Sequence, residues 1–165
     1  MHRHGVVPDV QPGVRMYLFS RQQKVLLFLF RRDAEAEGVL VGLLRVAAQP
    51  QGQRRVAVDQ ADKVLMVIGE DWDWSGEAAS RTDIGVPGIQ SELLKMIAST
   101  GKPVAVVLLN GRPLVLEEES KDADALLEAW YPGTMGAEAV TDIIFGQYNP
   151  SGKLTMTFPR SVGQV

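Results

Sequence analysis

The sequence contains no cysteine. This absence excludes disulfide bonds, thiolate metal sites and a cysteine nucleophile, but it does not identify a cellular compartment. Its only two histidines, His2 and His4, lie at the N-terminus, where chains commonly fray, so no metal site is predicted from them. Neither a Gly-x-Gly-x-x-Gly sequence nor a phosphate-binding loop is present, so nucleotide binding has no support.

Long apolar runs are absent too. The longest run in the first part of the chain, residues 25–30, is bounded by Lys24 and Arg31. A membrane helix needs about 20 apolar residues, and a secretory signal needs an apolar region of about 7–15 residues with a small-residue cleavage site. The sequence therefore predicts a soluble chain with no membrane partner and no recognisable export signal, and it leaves the compartment unknown.

The charges divide the chain into two parts. Residues 1–59 carry nine Lys and Arg against five Asp and Glu, whereas residues 60–165 carry eight against fifteen. The basic residues of the first part are scattered, and the aromatic residues near them lie in apolar runs typical of a core. No nucleic-acid partner is predicted from this pattern. The discontinuity near residue 60 indicates a change of character there.

From residue 63 onward, short apolar runs alternate with helical patterns. Apolar runs without alternation are typical of strands buried on both faces. Strands that alternate with helices predict a parallel sheet covered by helices, so the fold class is α/β with a parallel-type sheet sandwiched between helices. The predicted strands are 63–69, 104–109, 125–130 (where a helix would suit the composition equally) and 154–158, and the predicted helices are 88–100, 114–120 and 136–145.

The first sixty residues give a weaker pattern. Segments 14–19 and 24–30 have strand-like composition, 33–47 has a helical pattern weakened by two glycines, and 49–55 is polar like a linker. Residues 1–60 are therefore interpreted as an N-terminal extension, and residues 61–165 as the α/β domain.

The segment 70–87 is the candidate functional site. It leaves the carboxyl end of a predicted strand, where ligands bind in such sheets, and it is far longer than the usual 2–6 residues of such a connection. One interpretation is a solvated acidic loop that two tryptophans anchor to the core. The other is a general acid beside aromatic surfaces that suit a sugar ring. The candidate substrate-binding residues are Trp72, Trp74 and Arg81, and the carboxylates are Glu70, Asp71, Asp73, Glu77 and Asp83.

Five short blocks within 69–165 add a resemblance. They read SGEAASRTD, NGRPL, PGTMG, NPSGKL and FPRSVGQ, and they occur in this order. Together they resemble the C-terminal α/β sandwich domain of family 3 glycoside hydrolases, of the bacterial β-glucosidase type. In that family the catalytic acid/base is the glutamate of the block matched by residues 76–81. The resemblance therefore implies that Glu77 is the acid/base. Residues 1–60 do not resemble the family's usual start of this domain.

The activity that the resemblance implies is hydrolysis of terminal β-D-glucosyl residues with retained configuration. The substrate would be a β-glucoside or oligosaccharide, and neither a metal nor an organic cofactor is needed. The family's nucleophile is an aspartate in a TIM barrel, which takes about 250 residues. The resemblance thus implies a barrel supplied in cis or in trans. Asp71-Trp72 and Asp73-Trp74 look like the family's nucleophile block, but they lie beside Glu77 and are not interpreted as the nucleophile.

Two other interpretations remain open from the sequence. The chain could be a non-catalytic module that binds sugars or docks to a barrel, or a truncated or frame-shifted product without a function of its own. A Ser-Asp-Trp block within a barrel encoded upstream would distinguish a full enzyme from both.

Overall fold

The computed structural model describes residues 26–30, 42–45, 58–59 and 61–164. No helix in these ranges is long and apolar enough to cross a membrane. The elements of these ranges are the strands β1 Leu26–Phe30, β2 Gly42–Arg45, β3 Lys63–Gly69, β4 Val104–Leu109 and β5 Ala125–Glu128, the helices α1 Gln90–Ala98, α2 Glu119–Asp122 and α3 Gly136–Ile144, and the 3-10 helices Trp72–Trp74 and Val162–Gln164.

The five strands form one sheet in the order β2-β1-β3-β4-β5. Strands β3, β4 and β5 are parallel, whereas β1 is antiparallel to both of its neighbours. Parallel strands place their carboxyl ends at one edge, and here Gly69 at the end of β3 pairs with Leu109 at the end of β4. The predicted α/β class with a parallel-type sheet is confirmed.

Helices cover both faces of the parallel strands. On one face, alternate residues of β3 and β4 pack against α1 in a core of Val58, Ala61, Val64, Met66, Ile68, Leu93, Leu94, Ile97, Val104, Val106, Leu108 and Leu114. On the other face, the intervening residues pack against α3 in a smaller core of Leu65, Val67, Val107 and Val140. Because both faces are covered, β3 after Lys63 and the whole of β4 are apolar, which is why their sequences lack alternation.

Several elements differ from the sequence-based expectations. The helix predicted over 33–47 is wrong at Gly42–Arg45, which pairs with β1 as a strand. The strand predicted over 154–158 is also wrong, because this segment is irregular and leaves Leu154 and Met156 exposed. The helix predicted over 114–120 begins later, at Glu119. The segments 14–19 and 49–55 lie outside the described residues.

The base of the loop 70–87 is fixed by the side chain of Gln90, the first residue of α1. Its Oε1 accepts from the Gly69 amide at 2.8 Å, and its Nε2 donates to the carbonyls of Gly69 at 3.0 Å and Pro87 at 2.8 Å. Gly69 has φ +138, and a Cβ there would overlap the Leu109 carbonyl oxygen. Only glycine permits this close approach of β3 to β4, and the loop leaves the sheet at a defined point.

Candidate active site

The carboxylate of Glu70 lies at the centre of the site. Glu70 follows β3 directly, and its side chain is fully buried. Arg81 Nη1 donates to Oε1 at 2.6 Å, and Arg112 Nε lies 3.2 Å from the same oxygen. Oε2 accepts from Ser75 Oγ at 3.2 Å and from the Gly111 amide at 3.4 Å. One buried negative charge thus joins the loop after β3 to the turn after β4, with two guanidinium groups beside it.

Arg112 extends these contacts to the backbone of the loop. Its Nη2 donates to the Ala79 carbonyl at 3.0 Å, to the Trp74 carbonyl, and to Ser75 Oγ at 3.4 Å. Asn110 Nδ2 in turn donates to the Arg112 carbonyl at 2.7 Å, which fixes the backbone that carries the guanidinium. A planar guanidinium can donate in several directions at once. Arg112 therefore contacts the loop on both sides of residues 76–78.

Residues 76–79 form a tight turn with Glu77 at its tip. The Ala79 amide donates to the Gly76 carbonyl at 3.2 Å, and Glu77 is exposed. Ala78 has φ +61, a left-handed conformation that costs a residue with a Cβ about 1–2 kcal/mol. Such conformations persist where the surroundings impose them, and they concentrate at functional sites. The structure thus presents one carboxyl, that of Glu77, to solvent from a strained turn.

The two tryptophans of the loop have different environments. The Arg81 guanidinium lies 4.8 Å from the ring centroid of Trp74, a cation–π contact, and Trp74 is half-buried. Trp72 is 65% exposed. Its amide donates to Asp71 Oδ1 at 2.9 Å, which caps the short 3-10 helix Trp72–Trp74. Arg81 binds Glu70 and contacts the ring of Trp74, whereas much of the Trp72 side chain is exposed to solvent.

The segment after β5 completes the edge of the site. Tyr131 Oη donates to the Asp71 carbonyl at 2.9 Å, and burial raises the pKa of its phenol. Trp130 has φ +51, donates its amide to Glu128 Oε1 at 2.8 Å, and packs its ring against Phe158 at a centroid distance of 5.6 Å. The segments that follow all three parallel strands therefore meet at one edge.

The structure thus locates every residue predicted for the site. Glu77, Trp74 and Arg81 belong to one connected loop, and Trp72 lies on its exposed side. Sequence reasoning missed the central role of Glu70 and did not single out Arg112, Gln90 or Tyr131. A signal did exist for Glu70 and Arg112, because they follow the carboxyl ends of predicted parallel strands by one and three residues.

Comparison with known proteins decides the family. The model of the glycosyl hydrolase family 3 C-terminal domain matches residues 17–165. The chain belongs to glycoside hydrolase family 3. It is 52% identical over 109 residues to a periplasmic β-glucosidase of Salmonella typhimurium, covering 66% of this chain and 14% of that protein. It is 47% identical over 109 residues to a β-xylosidase of Formosa agariphila, covering 66% of this chain and 15% of that protein.

Solved structures give the same family. The crystal structure of a β-glucosidase from Listeria innocua in complex with gluconolactone superposes with a TM-score of 0.67 and 41% identity, over 71% of this chain and 17% of that one. This family 3 chain thus spans less than a fifth of the length of each of these three relatives.

The boundary predicted between residues 60 and 61 stays a prediction. The family model runs across it, and β1 and β2 lie in the same sheet as β3.

The close packing at Gly111 leads to a first prediction for this family 3 site. A Cβ at Gly111 would overlap Ser75 Oγ and Cβ and would lie 2.7 Å from Tyr131 Cε2. We expect Gly111→Ala to lower the free energy of unfolding by about 1–3 kcal/mol, the usual cost of overpacking. Urea denaturation measures this loss. Gly152→Ala is the control, because a Cβ there has no atom within 4 Å, and equal stabilities of the two variants would contradict the packing described.

The carboxyl of Glu128 leads to a second prediction. Burial raises its pKa above the ordinary value of 4.5, while the hydrogen bond from the Trp130 amide opposes the rise. The folded chain then binds this proton more tightly than the unfolded chain, so the contribution of Glu128 to the free energy of unfolding falls as pH rises from below 4.5 through the folded pKa. We expect the free energy of unfolding of Glu128→Gln, which does not ionise, to lack this pH-dependent contribution. Urea unfolding of both proteins at about pH 4 and about pH 7 measures it, and identical pH dependences would contradict it.

Proposed function

We propose that this chain supplies Glu77 as the acid/base of a retaining glycosidase that hydrolyses terminal β-D-glucosyl residues. The observation that carries the proposal is the position of Glu77. It is exposed at the tip of a turn, beyond the carboxyl ends of the parallel strands, in a domain that belongs to family 3. Three of the other four acidic residues of the loop make contacts that argue against the same role.

The rival carboxylates make contacts that suit structural roles. Glu70 is fully buried against two arginines, Asp71 caps the Trp72–Trp74 helix, and Asp83 Oδ1 accepts from the Gly85 amide at 2.9 Å. A general acid has to reach the leaving oxygen of the substrate. The two remaining carboxylates, Glu77 and Asp73, are both exposed, and Glu77 is the one at the tip of the strained turn.

The chemistry follows from two carboxyls with complementary roles. In the first step protonated Glu77 gives its proton to the glycosidic oxygen as the bond to the sugar breaks, while a second carboxylate attacks the anomeric carbon. In the second step Glu77, now ionised, takes a proton from water, which attacks the same carbon and releases the second carboxylate. The two carboxyls of a retaining enzyme lie about 5–5.5 Å apart. We assign the second one to a barrel domain, in cis or in trans.

Trp72, Trp74 and Arg81 are the proposed substrate-binding residues. Trp72 is 65% exposed, and an exposed aromatic ring suits the apolar face of a sugar. Trp74 and Arg81 contact each other, so they offer the substrate only the surface left by that contact. The relatives include a β-xylosidase as well as a β-glucosidase, and the proposal names a β-glucoside because the relative with the higher identity of the two is a β-glucosidase.

The test uses a hybrid enzyme. We define it as the Salmonella periplasmic β-glucosidase in which the 109 matched residues are replaced by those of this chain. Release of nitrophenol from aryl β-glucosides and β-xylosides is measured for the hybrid and for the 165-residue chain alone. We expect turnover by the hybrid, with the glucoside preferred, and none by the chain alone, because one of the two carboxyls is then absent.

Two outcomes would contradict the proposal. Robust turnover by the chain alone, undiminished in a Glu77→Gln variant, would require a different catalytic pair. A folded hybrid that binds glucose but hydrolyses neither substrate would instead support a non-catalytic sugar-binding module.

A further inference from the structure

We infer that Arg112 and Glu70 are positioning residues that hold the turn carrying Glu77 in its working orientation. The inference rests on the proposed role of Glu77 and adds a specific function for two residues that contact the loop and each other. The direction of their hydrogen bonds supports it.

The bonds of Arg112 converge on the turn. Its Nη2 binds the carbonyls of Trp74 and Ala79, which lie just before and just after the segment 75–78. The same nitrogen lies 3.4 Å from Ser75 Oγ. Both stems of the turn are therefore tied to one guanidinium, which follows a strand of the rigid sheet. The orientation of Glu77 relative to the sheet is then set largely by Arg112.

Glu70 holds that guanidinium in place. Its Oε1 lies 3.2 Å from Arg112 Nε and accepts from Arg81 Nη1 at 2.6 Å. Arg81 follows the turn, so the carboxylate also ties the far side of the loop to the end of β3. Because the Glu70 side chain has no solvent exposure, loss of its charge would leave two guanidinium groups without a counter-ion in a mostly buried place.

The backbone of the turn needs such support. Ala78 holds φ +61 although it has a Cβ, and the turn has no buried side chain among residues 76–79 to fix it by packing. Without external hydrogen bonds the turn would relax toward less strained conformations. A displacement of a catalytic group by about 1 Å is enough to cost roughly 10²-fold in rate.

A lysine at position 112 separates positioning from simple charge. Arg112→Lys keeps the positive charge beside Glu70, but a single ammonium cannot reach Glu70 and both carbonyls in the geometry of the guanidinium. Glu119→Gln is the control, because it changes a buried charged side chain that does not contact the turn. Glu119 is 4% exposed and, like Glu70, is a buried acidic residue, but its partner is Ser91 on α1.

The first experiment measures amide hydrogen exchange in the full 165-residue chain. We expect Arg112→Lys to speed exchange at the Ala79 amide, which closes the turn, by about tenfold or more, as expected for a local opening. Exchange at Val106 in the core reports global stability and corrects for any loss of it. Glu119→Gln should leave the Ala79 amide unchanged after the same correction. Unchanged exchange at Ala79 in Arg112→Lys would overturn the inference, whether or not any hybrid enzyme is active.

The second experiment is a double-mutant cycle in the hybrid enzyme on an alkyl β-glucoside. We expect Arg112→Lys to lower kcat by roughly 10²-fold with KM little changed, as for a misplaced catalytic group. In a Glu77→Gln background the same substitution should cost less than about threefold, because the two residues act through one group. Glu119→Gln should leave kcat unaltered.

The outcomes of the cycle distinguish the proposed function from the positioning role. If Glu77→Gln itself leaves kcat unchanged, the proposed function fails. If Glu77→Gln lowers kcat but Arg112→Lys lowers it further by the same factor in both backgrounds, the proposed function stands and the positioning role is overturned.

Discussion

Replacing Glu77 by glutamine is expected to lower kcat/KM of the hybrid enzyme for cellobiose by about 10²–10⁴-fold, the usual contribution of general acid catalysis. Glutamine keeps the shape of the side chain but has no proton to give to a leaving oxygen of high basicity. The dinitrophenolate of an aryl glucoside leaves without a proton, so the bond-breaking step should slow little for a dinitrophenyl glucoside. Steady-state kinetics on the two substrates measure the difference.

Azide provides a second readout of the same substitution. In Glu77→Gln, water lacks its base, whereas azide attacks the glycosyl-enzyme without one, so added azide should raise turnover of the dinitrophenyl glucoside and yield a glycosyl azide. Asp73→Asn is the matched control, because Asp73 is an exposed carboxylate of the same loop. It should show neither the dependence on leaving group nor the rescue. The opposite assignment of these effects would show that Asp73 is the acid/base.

Replacing Glu70 by glutamine is expected to lower the free energy of unfolding of the chain by about 3–5 kcal/mol, the usual cost of breaking a buried ion pair. The amide has nearly the same volume, so the loss does not arise from packing. It arises because Arg81 and Arg112, whose side chains are each only 20% exposed, keep their charges and lose their counter-ion. Urea denaturation at neutral pH measures the loss.

An exposed ion pair supplies the control for Glu70. Glu117 lies 2.9 Å from Lys121 Nζ, and both side chains are more than half exposed. Surface pairs of this kind contribute little because water solvates both partners, so Glu117→Gln should unfold at the same urea concentration as the parent within error. A Glu70→Gln variant as stable as this control would show that the buried carboxylate is not the centre of the site.

The parts of the fold that the sequence predicted share one physical cause. Strands β3 and β4 are buried on both faces, so their composition alone identifies them. Helices α1 and α3 each carry an apolar stripe toward one core. The loop 70–87 was identifiable because an unusually long connection leaves the carboxyl end of a buried strand. The candidate acid/base followed from resemblance, since five carboxylates in one loop have no spacing that distinguishes Glu77.

The parts that the sequence did not predict depend on contacts between distant segments. Glu70 and Arg112 are 42 positions apart along the chain, and only the pairing of β3 with β4 brings them together. Gly42–Arg45 forms a strand because it pairs antiparallel with β1, although its local pattern also suits a helix. The strand predicted over 154–158 does not form, and among the described residues no strand pairs with that segment.

A crystal structure of the hybrid enzyme trapped as its glycosyl-enzyme would show directly whether Glu77 is the acid/base. A fluorinated glucoside that forms the covalent intermediate would label the nucleophile, and the distance from its carboxyl carbon to that of Glu77 would then be measured. We expect about 5–5.5 Å, the separation that a retaining mechanism requires, with the turn still bound by Arg112. A structure in which Asp73 or another carboxylate occupies that position, with Glu77 pointing away from the sugar, would contradict the assignment.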